Sequence, residues 1–468
     1  MAVTESLYAE RVKVQPQRIT GRFRSIKWAA VIVLLAIYYL VPWLRWDRGP
    51  NAPDQAVLVD MAGRRAYFFW IEIWPQEVYY LAGLLILGAI GLFLVTSVAG
   101  RVWCGFTCPQ TVWTDLYMQV ERWIEGDRNR RIKLDEEPWS LRKLGLRAAK
   151  HGVWLLIALA TGGAWIMYFN DAPTVVREIF TGEASTAVYG FTGLFTATTY
   201  VLAGWAREQV CIYMCPWARF QSALFDEHTL LVTYADWRGE KRGHAKRGAD
   251  FSNRGHCIDC ELCVRVCPTG IDIRNGQQMA CIGCGLCVDA CNSIMDKMGL
   301  PRDLISYDSL ADQAALARKE TPPSLKLIRP RTIIYAALLL LAGAAMLVSL
   351  MLRSHLDVTV QADRAPLYVT LANGDIQNGY TVKISNKFRE PAEYTVAISG
   401  IDALDYKIVG REGEKIVVRG DSVGAFRLLL RAPRSALTRK STPIEITVTD
   451  VSSKEESSHD AIFSAPVE

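Results

Sequence analysis

The sequence predicts a multi-domain membrane protein that combines a five-helix α-helical transmembrane bundle, a cysteine-rich α+β insert and a C-terminal all-β sandwich. Three observations indicate this fold class: five apolar stretches of membrane length, eight cysteines in two short runs, and a tail of short β-branched segments. At 468 residues, 50% of them hydrophobic, the chain is too long for one ordinary domain. Its formal net charge of +5 is too weak to indicate nucleic-acid binding, so no nucleic-acid partner is expected.

The five apolar stretches each have about the 20 residues that a helix needs to cross a hydrocarbon core of roughly 30 Å. Lysine and arginine number six in residues 1–27, ten in 101–150 and seventeen in 207–331, against three in 46–76 and one in 171–186. Because loops rich in these residues stay in the cytoplasm, the amino terminus and the insert are predicted to be cytoplasmic and the carboxyl terminus to lie on the opposite side. The predicted spans are 26–45, 77–99, 151–170, 187–206 and 331–352.

These features divide the chain into five predicted parts. They are a cytoplasmic N-terminal arm at 1–25, a membrane domain with four helices at 26–235, a cytoplasmic insert with its linkers at 236–330, a fifth transmembrane helix at 331–352 and a β-sandwich at 353–468. In the tail, runs such as YTVKISN and EYTVAIS are separated by Asn, Gly, Asp and Pro, which is typical of a sandwich of about seven strands. The tail has no cysteine, so we expect it to contact partners rather than to carry chemistry.

One further helix is predicted between the second and third spans. The sequence TVWTDLYMQVERWIEGD, residues 111–127, has apolar residues at helical spacing. Two interpretations fit it: a helix that lies along the membrane surface, or an ordinary packing helix.

Residues 257–268 read CIDCELCVRVCP and residues 281–292 read CIGCGLCVDACN, so the spacing C-x2-C-x2-C-x3-C occurs twice. This spacing predicts a two-cluster ferredoxin-like domain with two [4Fe-4S] clusters, in which the fourth cysteine of each run binds the other cluster. A pair of zinc sites is the alternative, but zinc favours a looser grouping of C-x2-C pairs. The first cluster is assigned to Cys257, Cys260, Cys263 and Cys291, and the second to Cys281, Cys284, Cys287 and Cys267.

The two clusters need an electron donor. No G-x-G-x-x-G motif follows a predicted strand and no phosphate-binding loop is present, so neither a nucleotide nor a flavin site is predicted. A transmembrane b-type haem would need two axial histidines, whereas His151 is the only histidine in or at the edge of a span, and it is interpreted as an interfacial residue. The donor is therefore expected to be a separate protein or a quinol.

Two more cysteine pairs, in WCGFTCP after the second span and CIYMCP after the fourth, share the spacing C-x3-C-P. This spacing places two thiols on one face of a helix, and both pairs follow even-numbered spans, so four sulfurs are expected to converge at the cytoplasmic membrane edge. Three chemistries stay open: binding of Cu(I) by soft thiolates with help from the thioether of Met214, cycling between dithiol and disulfide, or another iron-sulfur centre. For an isolated pair, buried structural cysteines would be the plainer interpretation. The candidate catalytic and copper-binding residues are Cys104, Cys108, Cys211 and Cys215.

The segments GRVWCGFTCPQTVWTDLY and VCIYMCPWARFQSALFDEHTLLVTYADWRGEKRG, with the paired quartets and the β-rich tail, resemble the CcoG/FixG/RdxA family of bacterial cytochrome c oxidase accessory proteins. The likeness runs over nearly the whole chain. It implies a multi-pass protein of the bacterial inner membrane with a periplasmic immunoglobulin-like domain. It also implies a cupric reductase that supplies Cu(I) for the copper centre of cbb3-type cytochrome c oxidase, with all 12 cysteines as the redox apparatus.

Three functions fit these sequence features. The favoured one is a cupric reductase whose partners would be membrane lipid, copper ions, an unidentified electron donor, and subunits of the cbb3-type oxidase or copper chaperones. The second is a quinol-linked electron-transfer module that feeds another enzyme. The third is a non-enzymatic copper-binding assembly scaffold in which the clusters are structural. A homo-oligomer is compatible with each of them.

Overall fold

A computed structural model describes residues 13–49, 52–322, 326–410 and 415–466 of the chain. The chain divides into two units. One consists of Met1–Arg45 with Gln55–Met346, and the other of Trp46–Asp54 with Leu347–Glu468.

The first unit is mainly helical. Its short strands are β1 (Val57–Asp60), β2 (Arg65–Phe68) and β3 (Ile71–Ile73), which form one antiparallel sheet, and β4 (Leu231–Tyr234) and β5 (Ile305–Asp308), which form another. Two π-helical segments, Tyr200–Ala206 and Val210–Met214, lie on either side of Arg207. The α-helices are α1 (Arg22–Leu40), α2 (Tyr79–Ala99), α3 (Val102–Phe106), α4 (Pro109–Ile124), α5 (Arg128–Glu136), α6 (Leu141–Met167), α7 (Ala172–Thr181), α8 (Thr186–Thr199), α9 (Trp217–Ala223), α10 (Asp236–Gly239), α11 (Leu262–Arg265), α12 (Leu286–Met298), α13 (Leu310–Ala317) and α14 (Pro330–Met351).

Three helical segments among the described residues are long and apolar enough to cross a membrane: Arg22–Trp43, Pro75–Ala99 and Pro330–Met351. They correspond to the first, second and fifth predicted spans. The third predicted span lies in α6, which begins at Leu141 and carries basic residues in its first turns. The fourth lies in α8, which gives way to π-helix at Tyr200. The count of five transmembrane helices and the orientation of the chain therefore stay predictions.

Helix α4 is a packing helix. Its side chains Tyr117 and Val120 are buried against Trp154 of α6 and Ala203 of the first π-helical segment. The phenol of Tyr117 donates to the carbonyl of Trp154 (2.9 Å), and the indole of Trp154 donates back to the carbonyl of Tyr117 (3.2 Å). Of the two interpretations of this segment, the structure supports the second.

The cysteine-rich insert is closed by a pair of strands that flank it in sequence. Strand β4 precedes both cysteine runs and β5 follows them, and the two pair antiparallel from Leu231 opposite Asp308 to Tyr234 opposite Ile305. Val232 and Ile305 are buried together with Val288 of α12. This pairing brings the two ends of the insert together and packs them against α12.

The second unit contains a β-sandwich of two antiparallel sheets. Its core includes the buried rings of Tyr380, Tyr394 and Phe463. The described residues form nine strands rather than about seven, because the sequence prediction missed β10 and β14. Both are edge strands with one neighbour each, so they need fewer apolar residues than central strands. The strands are β6 (Leu356–Ala362), β7 (Val369–Thr370), β8 (Ile376–Asn386), β9 (Ala392–Ser399), β10 (Asp405–Ile408), β11 (Lys415–Val418), β12 (Ser422–Ala432), β13 (Ser441–Asp450) and β14 (Glu456–Ser464).

Candidate iron-sulfur and thiol site

Two short helices and the loops before them carry the cysteine runs. Helix α11 follows Glu261 (φ 53°) and helix α12 follows Gly285 (φ 69°), so both runs adopt the left-handed conformation just before the helix. Glycine adopts this conformation without strain. Gly285 has a second reason to lack a side chain, because a Cβ there would lie 2.7 Å from the ring of Phe23.

The eight cysteines of the two runs fall into two adjoining groups. The thiols that interact most strongly with Cys291 belong to the first run, whereas Cys267 interacts with thiols of the second run. The fourth cysteine of each run therefore lies with the other run, in the pairing that the sequence predicts. Cys263 and Cys287 interact across the boundary. The two groups are Cys257, Cys260, Cys263 and Cys291, and Cys267, Cys281, Cys284 and Cys287.

These thiols fit [4Fe-4S] clusters. The second group, with Cys263, lines an enclosed cavity whose other walls are mostly apolar, and the amide of Gly283 donates to the sulfur of Cys281 (3.5 Å). Amide hydrogen bonds to sulfur are one of the ways in which proteins tune such clusters. Burial raises the pKa of Cys281 to about 12, so iron must displace a thiol proton when it binds. Among the described residues, no three Cys, His, Asp or Glu side chains lie close enough together to hold a single metal ion.

The two C-x3-C-P pairs meet at one place. Cys104 lies in α3 and Cys108 caps α4, whose first helical residue is Pro109. Cys211 lies in the second π-helical segment and Cys215 ends it. Cys108 and Cys104 both interact electrostatically with Cys211, and Cys215 interacts with Cys104. The four sulfurs thus lie in one neighbourhood, although among the described residues no three of them are close enough together to hold a single metal ion. We call them the thiol set: Cys104, Cys108, Cys211 and Cys215.

Burial dominates the electrostatics of the thiol set. It raises the pKa of Cys104 and Cys108, and it raises that of Cys211 to about 12. At neutral pH the thiols of Cys104, Cys108 and Cys211 are therefore protonated without metal, and a soft cation would release their protons on binding. Met214, predicted as a helper, has a side chain that is 61% exposed.

Two residues that the sequence analysis did not single out position the thiol set. The buried guanidinium of Arg101 lies beside the sulfur of Cys104, and its charge partly offsets the effect of burial on the pKa of that thiol. The same guanidinium donates to the carbonyl of Met279, just before the second cysteine run. The thiol of Cys104 donates to the side-chain oxygen of Gln221 (3.0 Å), which is fully buried and itself donates to Thr96. No sequence signal marks Gln221, whereas the position of Arg101 between a span and a cysteine pair could have done so.

The thiol set adjoins the loop of the second cysteine run. A Cβ at Gly105 would lie 2.7 Å from the carbonyl oxygen of Gly283 and 2.9 Å from the Cα of Cys284. Cys104 and Cys211 also pack against the buried cluster that includes Ile282 and Cys284. The C-x3-C-P pairs and the second cysteine group are therefore in direct contact, backbone against backbone.

A second contact anchors the insert on the first predicted span. The carboxylate of Asp289, between the cysteines of α12, accepts from the first amides of α1, those of Phe23 (3.2 Å) and Arg24 (2.8 Å). Gly21 allows this approach, because a Cβ there would overlap the Asp289 side chain. The cluster-bearing helix thus caps a predicted transmembrane helix.

The chain is 50% identical to protein RdxB of Cereibacter sphaeroides over 465 residues, which cover 98% of each chain. It is 45% identical to the nitrogen fixation protein FixG of Rhizobium meliloti, over 98% of this chain and 94% of FixG. The chain belongs to the FixG/RdxA/CcoG family. Another relative, protein RdxA of Cereibacter sphaeroides, is 48% identical over 93% of this chain and 92% of its own.

Family profiles agree with the geometry of this FixG/RdxA/CcoG chain. A profile described as a 4Fe-4S dicluster domain matches residues 206–310, and one described as the IG-like fold at the C-terminal of FixG matches 346–466. A third, described as a 4Fe-4S binding domain, matches 81–133 and so includes Cys104 and Cys108. A crystal structure of a FixG-related protein from Vibrio parahaemolyticus is 22% identical and covers 25% of this chain and 100% of its own, with a TM-score of 0.22. The named relatives and the two 4Fe-4S profiles identify the chain as an iron-sulfur protein with an electron-transfer role.

Proposed function

We propose that the protein is an iron-sulfur oxidoreductase of the bacterial inner membrane that reduces Cu(II) to Cu(I). The Cu(I) would supply assembly of the copper centre of cbb3-type cytochrome c oxidase, directly or through a copper chaperone. In this proposal the two groups of four cysteines bind two [4Fe-4S] clusters on the cytoplasmic side. The thiol set of Cys104, Cys108, Cys211 and Cys215 receives copper as the substrate.

The observation that carries this proposal is the contact between the thiol set and the second cysteine group. Gly105 and Gly283 meet without intervening side chains, and Cys104 packs against the core that includes Cys284. When bound, the clusters would supply storage of single electrons, and the reduction of Cu(II) to Cu(I) takes one electron. A soft-ligand site next to a one-electron store is the arrangement that such a reaction needs.

The residues of the thiol set favour the product oxidation state. Thiolates stabilise Cu(I), whereas Cu(II) prefers nitrogen and oxygen ligands in tetragonal geometry. Arg101 lowers the pKa of Cys104 against the opposing effect of burial, so it assists loss of the thiol proton when copper binds. The side-chain oxygen of Gln221 holds the Cys104 sulfur in place by accepting a hydrogen bond from its thiol.

The test starts from anaerobically purified protein that is reduced with dithionite and then freed of the reductant. Addition of Cu(II) should produce Cu(I), detected with a chelating dye, in proportion to the electrons stored. The double variant Cys104→Ala with Cys211→Ala should retain its iron and lose this reaction. Tyr213→Phe, a substitution of an exposed neighbour that removes no sulfur, is the matched control. An unchanged rate of Cu(I) formation in the double variant would rule out the thiol set as the copper site.

A second candidate function is electron transfer to another protein, with a third iron-sulfur centre at the thiol set. The match of a 4Fe-4S binding profile over Cys104 and Cys108 favours it. An iron count of about twelve rather than about eight per chain would distinguish it, since each [4Fe-4S] cluster holds four irons. The double variant would then lose about four irons as well as its activity.

A further inference from the structure

A cavity of about 650 Å³ lies between α4, the first turns of α6 and the end of the first π-helical segment. This volume is within the range of small-molecule sites, about 300–1,000 Å³. Its walls include the buried ring of Trp154 and the exposed rings of Trp139 and Trp205. No cysteine lines the cavity in the part of the chain that the structure describes, so it is separate from the thiol set.

An imidazole on the cavity wall is held in a fixed orientation. His151 Nδ1 lies 2.8 Å from the phenolic oxygen of Tyr200, and its ring stacks on Trp205 with centroids 5.7 Å apart and planes 21° apart. The ring of Trp154 packs perpendicular to the imidazole, with ring centroids 5.1 Å apart and planes 86° apart. Within the described residues the Nε2 of His151 has no hydrogen-bond partner. The cavity therefore presents one oriented nitrogen among aromatic faces.

The basic residues of the wall are already neutralised. Their partners within the described residues are carboxylates: Lys13 pairs with Asp135 (2.8 Å), Arg147 with Glu125 (2.8 Å), Lys150 with Glu125 (3.1 Å) and Arg207 with Glu121. A phosphate or another anion would have to compete with these carboxylates. A neutral planar ring needs only aromatic surface and a hydrogen-bond partner for its oxygen. The cavity thus suits an uncharged oxygen-bearing ring better than a lipid phosphate.

The cavity wall connects to both cysteine pairs. Its residues Arg207 and Glu208 precede Cys211 by less than two helical turns. The side chain of Gln110, two residues after Cys108, donates to the carbonyls of Leu202 (2.8 Å) and Arg207 (3.2 Å). A molecule in the cavity would therefore lie beside the segments that carry the thiol set.

We propose that this cavity binds the ring of a lipid-borne quinol, the electron donor, with the Nε2 of His151 against one quinol oxygen. This inference rests on the proposed function only for the destination of the electrons. Overall, one quinol loses two electrons and two protons as both O–H bonds break and it becomes a quinone, and two Cu(II) ions become two Cu(I) ions. Nε2 of His151 accepts one proton and water accepts the other. Tyr200 is a positioning residue that holds the ring through Nδ1.

The test is photolabelling of the full-length protein in detergent with a short-chain azidoquinone, in competition with decylubiquinol. Label is expected on peptides that contain residues 139–154 or 204–208, with loss of label when the competitor is in excess. In His151→Phe, about tenfold more decylubiquinol should be needed to compete with the label, which is the loss of affinity expected for one hydrogen bond to a fixed ring. Tyr200→Phe should weaken it less, because the ring stays packed on Trp205. His228→Phe, at a turn outside the cavity, is the matched control, and iron content verifies that each variant is folded.

The inference would be overturned if the label were spread over the whole chain. It would also be overturned if decylubiquinol competed with the label equally well in His151→Phe and His228→Phe. Competition by an anionic phospholipid but not by decylubiquinol would overturn it in favour of a lipid-headgroup site. The readout needs no copper, so it is independent of the proposed function. If dithionite-reduced wild-type protein reduces Cu(II) while the quinone fails to bind, the quinol site alone is wrong. If the quinone binds while Cu(II) is not reduced, the copper assignment alone is wrong.

Discussion

The contact at Gly105 gives the sharpest prediction. Gly105 lies in α3 and its φ is negative, so alanine is conformationally acceptable there and only space opposes it. The added methyl group would lie 2.7 Å from the oxygen of Gly283, whereas ordinary contacts begin at 3.4 Å. The difference, 3.4 minus 2.7, means that the two segments must separate by about 0.7 Å. Because the neighbouring atoms belong to backbone, no side chain can swing aside, and overpacking of this kind costs about 1–3 kcal/mol.

Gly105→Ala is therefore expected to slow reoxidation of the reduced protein by Cu(II) severalfold, because it separates the thiol set from the second cysteine group. The assay is stopped-flow bleaching of the cluster absorbance, with iron content measured in parallel. Gly145→Ala is the control: this exposed glycine of α6 has nothing within 4 Å of its added methyl group, and it should behave as wild type. A wild-type rate in Gly105→Ala with full iron content would refute the proposed route between the two sites.

Three further predictions concern single side chains. Asp289→Ala removes the cap of α1 and should destabilise the attachment of the insert by about 1 kcal/mol, which would appear as faster proteolysis within the insert. Asp296→Ala, on the exposed face of α12, should leave the rate of proteolysis unchanged. Equal rates of proteolysis in the two variants would contradict the capping role of Asp289. Arg101→Gln should weaken Cu(I) binding severalfold at pH 7 in a chelator competition, because the pKa of Cys104 rises further without the guanidinium. Arg219→Gln, which changes an exposed arginine, is the control. Equal Cu(I) affinities in the two variants would contradict the role of Arg101. Burial raises the pKa of Asp115, but the buried cations Lys27 and Arg24 lower it more, so the pKa in the folded protein lies below its ordinary 3.8. The ionised Asp115 therefore stabilises the fold above pH 3.8. This stabilisation is lost as the pH falls through the lower pKa of the folded protein. Asp115→Asn should therefore lower the free energy of unfolding by about 3–5 kcal/mol near neutral pH. If the difference in thermal midpoint between wild type and Asp115→Asn did not shrink below pH 4, this prediction would be contradicted.

The sequence predicted the cysteine groups of the site, because metal binding by these cysteines depends on their spacing along the chain. The grouping of Cys267 with the second run and of Cys291 with the first follows from a repeated local pattern, because each run fixes its own loop and helix. The meeting of Cys104 with Cys211 followed from their places after even-numbered spans. These predictions need no knowledge of how the insert contacts the helices.

The residues that join these parts could not be predicted in the same way. Gly105, Asp289 and Gln221 act through partners more than 100 positions away in the chain, and nothing local distinguishes them from ordinary helix residues. The orientation of His151 could not be predicted either, because its stacking on Trp205, on another helical segment, has no sequence signature. The edge strands β10 and β14 were missed because each pairs on one side only and has a single buried residue, which leaves a weak apolar pattern.

The most direct test of the proposed electron route is an EPR titration of anaerobic, dithionite-reduced protein with Cu(II), together with counts of iron and acid-labile sulfide. The account predicts about eight irons per chain, as two [4Fe-4S] clusters require. It also predicts that each electron lost from the clusters appears as one Cu(I), and that Cys104→Ala with Cys211→Ala abolishes the transfer while the iron remains. Zinc in place of iron, or clusters that stay reduced when Cu(II) is added, would contradict it.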